Sequence, residues 1–173
     1  MKNLRYILAL SFLLCCSLGM MADEAYYYPR YDVSVAVHTD NSYSVREHMG
    51  VYFNEQLHGI VRDFTTSVFV KRYVGNGDGA DVEKVMHYGV DIDNVNVSEP
   101  FECLHEDNYL GVRMGDAGKY VEGAHDYVLS YDYRVGNDRT TTGDLFFYSL
   151  LGSGNDCKVD TFTFAVSFDR PVS

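Results

Sequence analysis

The chain has 173 residues and is acidic, with 25 Asp and Glu against 14 Lys and Arg and a formal net charge of −11. A surface of this charge repels phosphate backbones, so nucleic acid is not an expected partner, and it disfavours electrostatic docking onto anionic lipid. The length is that of one ordinary domain, large enough to bury a core.

The first 22 residues predict a signal peptide. Lys2 and Arg5 precede an uncharged, mostly apolar run over 6–21, and Ala22 offers a small residue for cleavage. This order of charge, apolar stretch and small residue is typical of export, and the run is short for a membrane span, which needs about 20 apolar residues. Cleavage would leave residues 23–173 with a net charge of −13, because the signal removes two basic residues and no acidic one.

Export would place the mature chain in the periplasm or at the cell surface. Lipid attachment at Cys15 or Cys16 and an uncleaved anchor are the alternatives to simple cleavage. Two cysteines survive cleavage, Cys103 and Cys157. In an oxidising compartment they are a candidate disulfide, and two separate thiols that pack as small hydrophobes are the alternative.

The mature chain opens with an extended lead-in over 23–30, because Pro29 disfavours helix before it. Strands are then predicted over 31–37 and 43–53, where apolar and polar residues alternate with a period of two, and Asp40-Asn41 predicts a tight hairpin between them. Weaker strands fit at 66–74, 90–97 and 109–114, with a short helix at 80–87 and a bulge between Ile92 and Val95.

Strong alternation returns over 125–135 and 162–168, with turns predicted at 136–138 and 152–155. Eight or nine short strands with short loops favour an all-β fold. We predict one antiparallel β-sandwich of the immunoglobulin-like type over 31–171, following the cleaved signal peptide.

One residue breaks the alternation. Glu47 falls on the apolar side of its strand, between Val45 and Met49. A buried carboxylate is costly unless it is paired, and Arg62 is the partner we choose. We predict a structural pair that fixes strand register, and a functional carboxylate with a perturbed pKa is the alternative.

Motifs for chemistry are weak. Residues 76–81 have Gly-x-Gly-x-Asp spacing, but one copy fails the known calcium-loop patterns, so a plain surface loop is favoured. Asp91 and Asp93 lie on one side of a predicted strand, where two carboxylates could hold a cation. Solvated edge residues explain them equally well. The histidines show no zinc pattern, and Ser153 lacks a nucleophile-elbow motif. No catalytic residue, metal or cofactor is therefore predicted.

Three stretches, 40–63, 112–135 and 144–171, carry a resemblance through three motifs: Val-x-Glu at 45–47, Gly-Ile-x-Arg at 59–62 and Gly-x-His-x-Tyr-x-x-x-Tyr at 123–131. Together they resemble the N-terminal domain of bacterial predicted membrane proteins in the domain of unknown function 2207 family. The resemblance implies an exported β domain followed by membrane spans, and it supplies no catalytic residues. The chain would be either a stand-alone relative or the exported head of a membrane protein.

These observations favour a non-enzymatic binding or protein-interaction module of the cell envelope. Its expected partner is another envelope protein or its own membrane-spanning continuation. A hydrolase-type enzyme that uses Glu47, and a structural subunit of a surface or membrane assembly, are the alternatives.

Overall fold

The computed structural model describes residues 24–75, 81–135, 146, 148, 149, 151 and 157–170, with the backbone alone for 68, 70–75, 81–84 and 86. These residues form nine strands and no helix. In chain order the strands are β1 (Tyr26–Val37), β2 (Ser42–Leu57), β3 (Ile60–Thr65), β4 (Ser67–Gly75), β5 (Asp81–Val97), β6 (Phe101–Glu106), β7 (Tyr109–Met114), β8 (Val121–Val135) and β9 (Phe162–Phe168). Within the described ranges, no helix is long and apolar enough to cross a membrane.

The strands form two sheets, which confirms the all-β prediction. A six-stranded sheet has the order β4-β5-β8-β2-β1-β9, and a three-stranded sheet has the order β3-β7-β6. The prediction of purely antiparallel sheets is wrong at one place, because β9 pairs with β1 in parallel. The connection from Val135 to Phe162 is longer than the dozen or so residues that a parallel crossover needs.

The first strand begins earlier than predicted and takes in most of the lead-in. Its pairing with β2 starts at Tyr26 and shifts register between Tyr27 and Arg30. Pro29 has no N–H to offer a ladder, which suits an irregular position. At this shift the backbone N–H of Tyr28 points away from β2 and donates to Lys158 O at 2.8 Å.

The helix predicted at 80–87 is wrong. From Asp81 onward the chain is the first half of β5 and pairs with β4, from Gly75 opposite Asp81 to Ser67 opposite Gly89. A helix of eight residues is marginal in water, whereas hairpin pairing satisfies the backbone of both strands. The predicted bulge in β5 is confirmed by a register shift between Asp93 and Asn96.

The hairpin at Asp40-Asn41 is confirmed. Asn41 has a left-handed φ of 63°, and the Ser42 N–H donates to Asp40 Oδ1 at 3.1 Å. Asn tolerates this conformation better than most residues, which is why the turn is readable in the sequence. The turns predicted at 136–138 and 152–155, and residues 76–80 of the Gly/Asp loop, lie outside the described residues, as does the predicted signal peptide.

The core lies between the two sheets. Buried residues alternate with exposed ones along β1, β2 and β8, which are the middle of the large sheet. Three residues of β7, Leu110, Val112 and Met114, cover them from the small sheet. Each fully buried side chain of this size contributes about 1.5–3 kcal/mol by leaving water. The core is therefore centred on β2, where Glu47 lies.

Candidate functional site

Glu47 and Arg62 meet between the sheets. Glu47 points inward from β2 and is 0% exposed, while Arg62 points inward from β3 of the other sheet and is 5% exposed. Arg62 Nε lies 3.0 Å from Glu47 Oε2, and Nη2 lies 3.1 Å from Oε1. Two parallel N–H···O bonds of this kind are the strongest form of the pair. The ion pair therefore joins the two sheets through the core.

Three tyrosines complete the shell of the carboxylate. Tyr131 OH donates to Glu47 Oε1 at 2.5 Å, Tyr148 OH lies 2.9 Å from the same oxygen, and Tyr31 OH donates to Oε2. Because each carboxylate oxygen accepts about two hydrogen bonds, this arrangement uses the whole acceptor capacity of Glu47.

The guanidinium has further partners besides Glu47. Arg62 Nη1 donates to Asp63 O at 2.9 Å, and Nη2 reaches Ser149 O at 3.4 Å. Its Cζ lies 4.6 Å from the centre of the Phe64 ring, a cation–π distance. Arg62 thus has a carboxylate, two carbonyls and a ring as partners, which is what a buried guanidinium needs.

Strand register explains why these tyrosines surround Glu47. Glu47 lies opposite Val33 of β1 and Leu129 of β8. Tyr31 and Tyr131 are each two residues from those partners, so they lie on the same face at diagonal positions. Long side chains reach across such a diagonal, and both hydroxyls therefore converge on the carboxylate.

The electrostatics agree with a charged pair. Burial alone would raise the pKa of Glu47, but the charge of Arg62 and the hydrogen bonds donated by Arg62 and two tyrosines outweigh it and hold the pKa below its usual value. Burial would lower the pKa of Arg62, and the carboxylate reverses this, so that it stays well above its usual value. Burial and the neighbouring carboxylate raise the pKa of Tyr31, Tyr131 and Tyr148. The tyrosines therefore keep their protons and donate them.

This arrangement leaves neither carboxylate oxygen of Glu47 available to a substrate. No part of the side chain reaches solvent, and both oxygens are committed to partners in the protein. An acid or base must come within hydrogen-bond reach of the proton that it transfers. Catalysis by Glu47, the form in which we considered a hydrolase, is incompatible with this geometry.

Sequence reasoning named the pair but missed the tyrosines. Tyr31 and Tyr131 stand in the alternating stretches of the sequence, where a tyrosine on the apolar side is expected to pack in the core. Only the sheet order places them beside Glu47. Tyr148 is in none of the nine strands, and no sequence pattern marks it.

The structure does not join the two cysteines in a disulfide. Cys103 on β6 and Cys157 before β9 are both free and half-buried, so the candidate disulfide is not formed in the structure. Burial raises the pKa of the Cys103 thiol. Cys157 packs near Tyr26, where it also contributes to the raised pKa of that hydroxyl after burial and Tyr28. Both thiols behave as the small hydrophobic groups of the alternative interpretation.

The outer face of the large sheet holds an arrangement that sequence reasoning did not find. His38 Nε2 lies 2.9 Å from Ser44 Oγ, and His38 Nδ1 lies 2.9 Å from Asp169 Oδ2. This is the connectivity of a Ser-His-Asp triad. However, Ser44 Oγ is also 3.2 Å from Asp132 Oδ1, and its backbone lies inside the ladder between β1 and β8. The nucleophile therefore lacks a backbone N–H of its own for an oxyanion.

Other polar residues on this face do not form a metal site. His48 Nε2 lies 3.1 Å from Asp126 Oδ1, and His48 Nδ1 lies 3.8 Å from Asp32 Oδ2. Asp91 and Asp93 are exposed on β5. Among the described residues, no three His, Cys, Asp or Glu side chains are grouped so that they could hold a metal ion.

Comparison with known proteins assigns the chain to a family. The sequence model described as "Predicted membrane protein (DUF2207) N-terminal domain" matches residues 27–172. The chain belongs to this family. The resemblance predicted from the sequence motifs is confirmed.

Other comparisons add little. No curated protein matches the chain. Among solved structures, an M1 zinc metallopeptidase from Deinococcus radiodurans is similar at 12% identity and a TM-score of 0.34, over 65% of this chain and 20% of that one. A two-domain M1 zinc metallopeptidase mutant bound to L-arginine is similar at 13% identity and 0.34, over 69% and 22%. The chain spans about a fifth of these structures, and similarity at this level carries no argument about function.

The three motifs that carry the resemblance coincide with the buried pair. Val-x-Glu ends at Glu47, Gly-Ile-x-Arg ends at Arg62, and the third motif ends at Tyr131, which donates to Glu47. In this DUF2207 domain the motifs therefore meet in the core between the sheets.

Proposed function

We propose that this chain is a non-enzymatic binding module, exported from the cytoplasm as the N-terminal domain of a membrane protein, and that it binds another protein of the cell envelope. The family match supports the membrane association. The predicted signal peptide supports export. The net charge of −13 after cleavage disfavours anionic lipid and nucleic acid as partners.

A two-stranded arm carries the binding role. We define the arm as β4 (Ser67–Gly75) with residues 81–89 of β5. Within the described residues β5 pairs with β8 only from Val90 onward, so the arm extends past the rest of the sheet. Phe69 is 70% exposed and Val85 is 61% exposed. They lie on one face at diagonal positions, because Phe69 is opposite His87. Exposed apolar side chains grouped on a projecting hairpin are typical of a contact surface.

Site-specific photocrosslinking in living cells tests the proposal. A photoreactive phenylalanine analogue would replace Phe69 in the full chain, and Tyr120 would be the matched control. Tyr120 is an aromatic residue with similar exposure, 65%, but it lies between β7 and β8, away from the arm. We expect an adduct with one envelope protein from position 69 and none from position 120. The absence of an adduct at 69, or equal adducts at both, would contradict the proposal.

One observation favours a second candidate function. The contacts of His38 with Ser44 and Asp169 are those that activate a serine in hydrolases. A fluorophosphonate probe that labels the wild-type chain, but not Ser44→Ala, would support hydrolysis. Ser34→Ala is the control, because Ser34 is exposed on the neighbouring strand and no described histidine is hydrogen-bonded to it. A wild-type chain that takes no label would remove this candidate.

A further inference from the structure

The two sheets end in four edge strands, β4, β9, β3 and β6. Edge strands present unpaired N–H and C=O groups, and proteins usually protect them with charged residues, Pro or bulges. β3, β4 and β6 each contain charged residues. β9 has the sequence FTFAVSF, with no charge and no Pro, and its register with β1 runs without a shift. Among the described strands, β9 is therefore the unprotected edge.

The parallel pairing with β1 determines which backbone groups of β9 are unused. The Tyr31 N–H donates to Thr161 O at 2.9 Å, and the Asp169 N–H donates to Val37 O at 3.1 Å. Because successive residues of a strand direct their backbone groups to opposite sides, the odd-numbered residues of β9 bond to β1. The groups of residues 162, 164, 166 and 168 point to the other side, where the described chain has no strand.

We propose that β9 pairs antiparallel with β9 of a second copy of this chain, across a twofold axis at Ala165. In this register, the residues of β9 lie opposite suitable residues of the antiparallel β9 from the second copy. Phe162 lies opposite Phe168 of the second copy, Phe164 opposite Val166, and Thr163 opposite Ser167. Aromatic pairs, aromatic with β-branched pairs, and hydroxyl pairs are favourable cross-strand neighbours. The even-numbered residues exchange the backbone hydrogen bonds that β1 leaves unused.

The pairing also covers exposed rings. Phe164 and Phe168 lie opposite Val33 and Val37 of β1, on the side of the sheet that carries the core. Nevertheless they are 56% and 43% exposed, because the three-stranded sheet is narrower than the six-stranded one. A second copy beside β9 places its own aromatic residues against them. Burial of this apolar surface is the driving force.

Charge at the ends of the strand is complementary. Two copies with a charge of −13 each repel one another at long range. Continuing the same register past the strand, however, places Asp160 opposite Arg170 of the second copy, and the twofold axis repeats this pair at the other end. The charge pattern therefore permits this register despite the net repulsion.

This pairing produces a dimer and not a longer assembly. Each chain uses β9, the one edge without a charged residue among the described strands, and the opposite edge of the large sheet, β4, contains Lys71 and Arg72. The contact is one strand of about 24 Å, smaller than the roughly 1,600 Å² of a standard interface. We therefore expect a dimer that forms measurably only at high concentration. This interface is separate from the arm, so it can fail without affecting the proposed function.

Sedimentation velocity of the full chain tests the dimer. Wild type should shift from monomer to dimer between about 10 µM and about 1 mM, the range of weak complexes. Ala165→Lys places two like charges face to face at the twofold axis and should weaken dimerisation at least tenfold. Ser34→Lys is the control, because Ser34 is exposed and neighbours Ala165 on β1, one strand further from the edge. It should dimerise like wild type.

Two results would overturn the proposal: a wild-type chain that stays monomeric throughout, or an Ala165→Lys chain that dimerises like the control. An equimolar mixture of Ala165→Lys and Ala165→Glu should recover the dimer, which separates a charge effect from misfolding. Register is tested by Ala165→Cys in a chain whose other cysteines are serine. A pair without backbone hydrogen bonds has Cα atoms about 4.5 Å apart, within disulfide range. Equal crosslinking from Thr163→Cys would exclude this register.

Discussion

Replacing Glu47 with Gln tests the buried pair with the least change of shape. The amide can still accept hydrogen bonds from tyrosine hydroxyls, but it removes the negative charge beside Arg62. Arg62 is 5% exposed and cannot turn to water without opening the two sheets. Breaking a buried pair in this way costs about 3–5 kcal/mol, because an uncompensated charge stays in the core. We expect the free energy of unfolding of Glu47→Gln to fall by this amount.

The protein provides its own control pair. Arg113 and Glu102 form an ion pair across β6 and β7, with side chains 46% and 56% exposed. An exposed pair contributes about 0–1 kcal/mol, since both groups remain solvated when the pair is broken. Glu102→Gln should therefore cost at least about 2 kcal/mol less than Glu47→Gln.

Urea unfolding followed by circular dichroism measures this difference. With a slope of about 2 kcal/mol per molar urea, the midpoint of Glu47→Gln should move down by about 2 M. Replacing both partners by apolar residues, as in Glu47→Leu with Arg62→Met, should not restore stability. The tyrosine hydroxyls would then lack their acceptor, at about 1–3 kcal/mol each. A Glu47→Gln chain no less stable than Glu102→Gln would refute the reasoning.

Three further predictions concern stability. The pKa of Glu47 is depressed, so its stabilisation is present above the unfolded value of 4.5 and is lost as pH falls through the folded value; acid melting curves should show this loss in wild type and not in Glu47→Gln. Gly59 has a φ of 131°, and an added Cβ would lie 1.9 Å from a carbonyl oxygen of β7, so Gly59→Ala should lower the melting temperature sharply, while Gly89→Ala, with nothing within 4 Å, should not. Because Cys103 and Cys157 are free, a reductant should leave the melting temperature unchanged, and a lower one would indicate a disulfide.

The central strands could be predicted because the alternation of apolar and polar residues indicates which face of each strand is buried. One face of β2 is core and the other is solvent, so Tyr43, Val45 and Val51 share a parity. A carboxylate on that parity must be paired, which is why Glu47 can be recognised as unusual from the sequence. The hairpin at Asp40-Asn41 is equally local, since the residue types themselves favour the turn.

Features that depend on strand order could not be predicted in this way. The tyrosine shell requires β1 and β8 to flank β2, and the parallel placement of β9 requires a long crossover, and neither is encoded in a window of a few residues. The helix predicted at 80–87 is wrong because eight residues without a clear period fit a helix or a strand equally well. Pairing with β4 decides the outcome, and that pairing is a tertiary contact.

The cellular location of the domain tests the proposed function most directly. Native cells would be separated into cytoplasm, periplasm and membranes, and the domain would be detected by blotting, with protease added from outside the cytoplasmic membrane. The account predicts that the domain is in the envelope fractions and is digested by the external protease. A domain that is protected from protease and recovered with the cytoplasm would contradict export, and with it the proposed binding of an envelope protein.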